Sequence, residues 1–209
     1  MGTAVESRGT YDVTALPHVL RRALVLGAIT AIVVVLLSFI TRLTSGMIET
    51  VAGGIVLLAG LTAVTVLPGT WTRARTIEGI AGAAAIGLAA TVVFLLIDVA
   101  VLQLFGIYTN RWREIGGGSN WWYHPVWWMV GTFLPWMGGL IIANRAARGR
   151  DASMAAIMAL ALVCTLVVGA VAVLVHVPGA TWSLGTFGVA FLPGLAIAAA
   201  LSAMGRSTA

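Results

Sequence analysis

The chain has 209 residues, of which 60% are hydrophobic and 9% are charged, and its mean hydropathy is +1.02. This composition excludes an ordinary soluble domain and predicts an all-α, polytopic integral membrane protein. The net charge of +5 comes from twelve arginines and no lysine. Because these arginines are scattered singly or in pairs, they indicate membrane orientation, and nucleic acid is not expected as a partner.

Six apolar runs follow one another along the chain, separated by Gly, Pro, Arg or Thr. Each is long enough for one membrane-spanning helix, at about 20 apolar residues per crossing. The predicted spans are 21–40, 47–67, 77–108, 122–143, 153–177 and 183–204. We therefore predict a cytoplasmic N-terminal segment at 1–20, a single six-helix transmembrane bundle at 21–204 and a cytoplasmic tail at 205–209.

Nine arginines fall on one side of the predicted bundle, against Arg42, Arg111 and Arg113 on the other. Because arginine is retained on the cytoplasmic side, both termini are predicted to be cytoplasmic. The predicted location is a bacterial-type inner (plasma) membrane, which the chain crosses several times in contact with lipid. The loop between the third and fourth helices then faces the periplasm.

Rows of small residues at a spacing of four follow one face of the first, third and sixth helices. Such rows let helix backbones approach closely in lipid, where no hydrophobic force drives helices together. We expect them to pack either within this chain or against another subunit. The rows are Ala23, Gly27 and Ala31; Gly79, Ala83 and Gly87; and Ala190, Gly194, Ala198 and Ser202.

Six of the eight tryptophans and two of the three tyrosines fall between residues 108 and 136. A belt at the headgroup level explains some of these rings. At about 100° per residue, however, Trp127 diverges from the face that Trp128 and Trp136 share, so the rings cannot all face lipid. We predict a surface here that contacts a ligand or a partner protein. The candidate binding or docking residues are Asp98, Arg111, Arg113, Trp121, Trp122, Tyr123, His124, Trp127, Trp128 and Trp136.

Asp98 is the carboxylate that lies well inside an apolar run, in the third helix. An aspartate at that depth costs about 3 kcal/mol on insertion scales, and it usually faces the bundle interior or water and has a partner. Asp98 is therefore the strongest single candidate for function, as a polar anchor. The alternatives are a structural ion pair with Arg42 or Arg111, or protonation in place.

His124 begins the fourth predicted helix and His176 ends the fifth. Because these helices run in opposite directions, the two imidazoles are predicted to lie at a similar depth near the outer surface. Two histidines from neighbouring helices can ligate a b-type haem or contribute half of a metal site. No cofactor or metal is expected otherwise, and haem or pigment is the alternative that these two residues leave open.

The row Ala23, Gly27 and Ala31, together with six helices and both ends inside, is similar to the substrate-binding S subunits of energy-coupling-factor vitamin transporters. The resemblance implies a ligand bound near the outer face, in a pocket that contains aromatic residues. It concerns the architecture and the first helix, and it names no substrate.

No serine–histidine–acid set, paired carboxylates or metal-binding doublet is present at a recognisable spacing, so an enzyme is not expected. The leading hypothesis is a protein that binds or transports a small apolar or aromatic ligand at an outward-facing pocket built by the third, fourth and fifth helices. One alternative is a non-catalytic structural or accessory subunit of a membrane complex or homo-oligomer, docking through the aromatic segment and the small-residue rows. The other is a haem- or pigment-binding electron-transfer subunit.

Overall fold

The computed structural model describes residues 12–108, 123–150 and 153–204, with the side chains of the fourth helix described from residue 126 onward. Within these residues the chain is all helical, and six helices are long and apolar enough to cross a membrane. The predicted multi-pass helical membrane protein is confirmed to that extent. The helices are α1 (Leu16–Leu43), α2 (Gly46–Trp71), α3 (Ile77–Ile97, continued by a π-helical turn at Asp98–Leu102), α4 (Tyr123–Ala146), α5 (Met154–Leu174) and α6 (Leu184–Ala203).

The first two helices are longer than the predicted spans. α1 begins at Leu16 rather than at 21, with Pro17 in its first turn. Backbone N–H groups in the first turn have no acceptor within the helix, so the missing N–H of proline costs no hydrogen bond there. α2 continues through Pro68 to Trp71 rather than ending at 67. A membrane helix tolerates an internal proline because neighbouring helices and side chains satisfy the freed backbone group.

α5 is shorter than predicted, ending at Leu174 rather than at 177. His176 adopts a left-handed backbone conformation with φ of 58°. The next amide, that of Val177, donates to the carbonyl of Ala172 at 2.9 Å, which closes the helix end in a Schellman arrangement. The apolar residues that follow therefore belong to a turn.

The third apolar run, predicted as one helix over 77–108, does not continue as an α-helix. The helix widens into the π-helical turn at Asp98–Leu102, where the amide of Gln103 donates to the carbonyl of Asp98 at 2.9 Å. The chain then turns, and the amide of Ile107 donates to the carbonyl of Leu102 at 3.0 Å. The extra length of this run forms a turn rather than a projecting helix.

Four of the helices form a ring. α1 packs against α2 and α3, and α4 packs against the same two helices. α5 and α6 form a pair that attaches mainly through α6 to α4. We call the end of the ring where α1 and α3 begin the arginine-rich end, and the end where α3 turns and α4 begins the aromatic end.

Small residues set the distances between these helices. A β-carbon on Gly27 of α1 would lie 2.6 Å from Val93 Cγ1 of α3, and one on Gly87 of α3 would overlap the α4 backbone. A β-carbon on Gly194 of α6 would lie 2.7 Å from the Cα of Thr165 on α5. Every member of the three predicted small-residue rows is buried. These rows therefore pack within the chain.

We expect Gly138→Ala to lower the free energy of unfolding by roughly 1–3 kcal/mol, because the added methyl group would overlap the carbonyl oxygen of Thr65 on α2. That oxygen is a backbone atom and cannot move without moving its helix. The measurement is the thermal midpoint of the purified protein in detergent, followed by circular dichroism. The control is Gly188→Ala, whose methyl group would lie 3.8 Å from Leu57 and should leave the midpoint unchanged or raised. Equal midpoints for the two variants would contradict this account of the packing.

Candidate functional site

A cavity of about 210 Å³ lies inside the ring formed by α1, α2, α3 and α4. Its walls are almost entirely aliphatic and aromatic, and every lining residue is buried or half-buried. The two lining hydroxyls, on Thr30 and Thr91, donate to the carbonyls of Leu26 and Gly87 on their own helices, both at 2.9 Å. The cavity therefore offers shape and apolar surface, with no charged group.

The cavity differs from the pocket predicted between the third, fourth and fifth helices. Its lining comes from the first four helices, and α5 contributes none of it. The reason is that α5 packs mainly against α6 rather than against the helices of the ring. The predicted pocket of the third, fourth and fifth helices therefore stays a prediction.

Trp127 supplies the aromatic wall at the end of the cavity where α4 begins. Its ring lies 4.7 Å from that of Phe94, centroid to centroid, with the two planes at 47°. Phe94 is fully buried, and Trp127 is half-buried. Trp128 and Trp136 are each 48% exposed on the outside of α4. α4 thus presents one tryptophan to the interior and two to the surroundings of the bundle.

Asp98 is fully buried at the start of the π-helical turn. Its carboxylate accepts a hydrogen bond from Gln103 Nε2 at 2.7 Å and another from the hydroxyl of Tyr108. Both donors belong to the segment 103–108, which we call the aromatic-end turn. Asp98 therefore ties this turn to the end of α3, and it does not line the cavity.

Arg42, at the end of α1, also holds the aromatic-end turn. Its guanidinium donates to the carbonyl of Gly106 and, at 2.9 Å, to that of Ile107. Tyr108 and Ile107 pack in one apolar cluster with Phe94 and Trp127. The polar bonds of Asp98 and Arg42 thus fix the aromatic-end turn beside the aromatic wall of the cavity.

The structure describes only some of the remaining predicted site residues. Tyr123 and His124 begin α4, but their side chains lie outside the described residues. His176 is exposed in the turn after α5. The pairing of these two histidines on a haem stays a prediction, and the described residues contain no group of three His, Cys, Asp or Glu side chains that could hold a metal ion. The predicted site residues Arg111, Arg113, Trp121 and Trp122 lie outside the described residues.

Sequence reasoning missed the partners of Asp98 and most of the cavity lining. Gln103 and Tyr108 follow Asp98 at spacings of five and ten, which an α-helix does not bring to one face. Tyr108 belonged to the aromatic segment, and that signal could have suggested it as a partner. The aliphatic lining carried no signal, because its residue types match those that face lipid.

No protein-family model, no curated protein and no solved structure matches this chain. The likeness to the S subunits of vitamin transporters therefore has no support from these comparisons. A function must be argued from the cavity, its aromatic wall and the charges at the two ends of the bundle.

We expect Asp98→Asn and Arg42→Gln to loosen the same segment, since each removes donors or acceptors that hold the aromatic-end turn. A buried polar group left without its partner costs about 1–3 kcal/mol. The measurement is hydrogen–deuterium exchange of the amides of residues 103–108, which should become faster by roughly fivefold to a hundredfold in either variant. Unchanged exchange in both variants would contradict the anchoring role.

Proposed function

We propose that this protein binds a small apolar or aromatic molecule within the membrane, in the cavity that α1–α4 line. The observation that carries the proposal is an apolar cavity of about 210 Å³ inside the membrane-crossing part of the bundle. An apolar protein cavity of about 150 Å³ is enough to hold benzene. The volume therefore suits a molecule of one or two rings, or a short branched hydrocarbon segment.

The chemistry of the walls supports an uncharged ligand. A charged group in this cavity would lose its hydration without gaining a partner, a cost of several kcal/mol in an apolar interior. The hydroxyls of Thr30 and Thr91 already donate within their helices, so each offers a ligand only an acceptor oxygen. Trp127 and Phe94 supply ring faces and edges against which a planar ligand would pack. We therefore infer selection by shape and apolar surface.

The proposed orientation follows from the charges. With the arginine-rich end in the cytoplasm, as the positive-inside rule indicates, the aromatic end faces the periplasm of a bacterial-type inner membrane. The ligand would then enter from the outer leaflet or the periplasm, beside the aromatic-end turn. Release or transport would require that turn to move, and its anchors at Asp98 and Arg42 are the residues that would control it.

We propose a binding or transport role rather than catalysis, and we rank two other roles below it. An accessory subunit would have to dock through surfaces other than the small-residue rows, because these are buried in the chain. Exposed Trp128 and Trp136 are among the side chains that such docking could use. An electron-transfer subunit would depend on His124 and His176, and no described contact favours it.

The proposal is tested by binding of naphthalene to the protein in lipid nanodiscs, with empty nanodiscs as the reference for partition into lipid. Val33→Phe should weaken binding by at least tenfold, because the larger side chain fills the cavity that Val33 lines. The matched control is Val25→Phe on the same helix, where the side chain is 45% exposed outside the ring. The cavity would be refuted as the site if the unmodified protein showed no specific binding of naphthalene. It would also be refuted if the two variants bound naphthalene equally well.

Two tryptophan variants separate the aromatic wall from the outer surface of α4. Trp127→Ala should weaken naphthalene binding by about fivefold, from the loss of an aromatic contact of roughly 1 kcal/mol. Trp128→Ala, on the adjacent residue, should leave the affinity unchanged because its ring lies outside the cavity. A loss confined to Trp128→Ala would indicate a surface site instead.

A further inference from the structure

A basic groove of about 660 Å³ opens at the arginine-rich end, between the last turn of α2 and the last turn of α4. Three arginines and a threonine provide its polar groups, and the rest of its lining is aliphatic or glycine. The lining residues are Gly69, Thr70, Arg73, Arg75, Ile142, Ala146, Gly149 and Arg150. The groove thus combines concentrated positive charge with an apolar floor.

Close packing of α2 on α4 brings these arginines together. A β-carbon on Gly69 would lie 2.7 Å from Ile142 Cδ1 and 3.3 Å from the Cα of Gly139. Because the two helices approach this closely, the loop after α2 and the loop after α4 share one groove. Arginines that are far apart in the sequence therefore line the same space.

The end of α2 is closed by its own backbone. The amide of Ala74 donates to the carbonyl of Gly69 at 2.8 Å, and that of Arg73 donates to Thr70 at 3.2 Å, which is the Schellman pattern. Backbone amides therefore already donate to these carbonyls. The Arg73 guanidinium is not needed to cap them.

The end of α4 repeats this arrangement. The amide of Arg150 donates to the carbonyl of Arg145 at 3.1 Å, and that of Gly149 donates to Ala146 at 3.0 Å. Gly149 occupies the left-handed position of this motif, with φ of 63°. That position favours glycine, which has no β-carbon to clash with the backbone.

Arg73 occupies the corresponding left-handed position after α2, with φ of 48°. A residue with a side chain is strained there, and strain of this kind is concentrated at functional sites.

The three groove arginines carry charge that the described part of the chain does not neutralise. The side chains of Arg73, Arg75 and Arg150 make no hydrogen bond or ion pair with any described residue. No acidic residue is among those that line the groove in the described ranges. Asp151 follows Arg150 in the chain but lies outside those ranges. Among the described residues, no carboxylate therefore competes with an anion for these three guanidinium groups.

We propose that the groove binds the phosphate group of an anionic phospholipid. Guanidinium groups match phosphate oxygens in geometry as well as in charge, and basic pockets between membrane helices bind anionic headgroups. The floor formed by Ile142 and Ala146 lies where the membrane-crossing helices α2 and α4 end, so in a bilayer it would face the glycerol and the first acyl carbons of a lipid. A soluble phosphate would not use that floor, so a lipid is the occupant that the whole groove fits.

The test measures the affinity of the detergent-purified chain for three probes: dihexanoyl phosphatidylglycerol, dihexanoyl phosphatidylcholine and glycerol 3-phosphate. We expect phosphatidylglycerol to bind best, with an affinity that falls as salt is added. In the double variant Arg73→Gln/Arg150→Gln, that affinity should fall roughly 25-fold, or about fivefold for each arginine removed. The control is Arg21→Gln on α1, which removes one charge at the same end and should change the affinity less than twofold, against about fivefold for either groove arginine.

The variant Arg73→Gly distinguishes a loss of lipid binding from a loss of folding stability. Glycine relieves the left-handed strain, so the thermal midpoint without lipid should stay the same or rise, while the affinity for phosphatidylglycerol falls about fivefold. Three outcomes would overturn the proposal: equal affinity for phosphatidylcholine, an equal loss in the α1 control, or glycerol 3-phosphate binding as tightly as phosphatidylglycerol. The last would identify a soluble phosphate compound as the ligand.

Discussion

Direct contact between helix backbones at glycine is the constraint on which this structure depends. In lipid no hydrophobic force drives one helix onto another, so the helices gain stability mainly through van der Waals contact and interhelical hydrogen bonds. Gly27, Gly87 and Gly138 remove the side chains that would otherwise hold α1, α3, α4 and α2 apart. The ring of four helices follows from these contacts, and so do the spaces that the ring leaves open.

The two proposed sites lie at different levels of this ring and share helices. α2 and α4 line both the apolar cavity in the membrane interior and the basic groove at the arginine-rich end. The cavity, among the membrane-crossing helices, has no charged lining residue, whereas the groove, where these helices end, has three arginines. Burial of a charge is costly in the hydrocarbon region, whereas arginine is favourable near the headgroups. A lipid bound at the groove would bridge the two helices that also form walls of the cavity.

The sequence shows that Asp98 is unusual, but it does not show which residues Asp98 contacts. Its position in an apolar run indicated a polar site near the outer end of the third helix. In the structure its carboxylate accepts bonds from Gln103 and Tyr108, which offset the cost of burial. The residue thus holds the aromatic-end turn together with Arg42, beside the aromatic wall of the cavity.

The sequence by itself determined the helical membrane class, the number of helices and the small-residue faces, because hydrophobic length and residue spacing act locally. It also determined that Trp127 diverges from Trp128 and Trp136, since the helical angle alone requires this. Only the tertiary structure decided which helices enclose the cavity and which arginines meet in the groove. Lipid-facing and cavity-facing side chains are equally apolar, so composition cannot separate them. Arginines as distant as Arg73 and Arg150 meet only because glycine lets α2 and α4 touch.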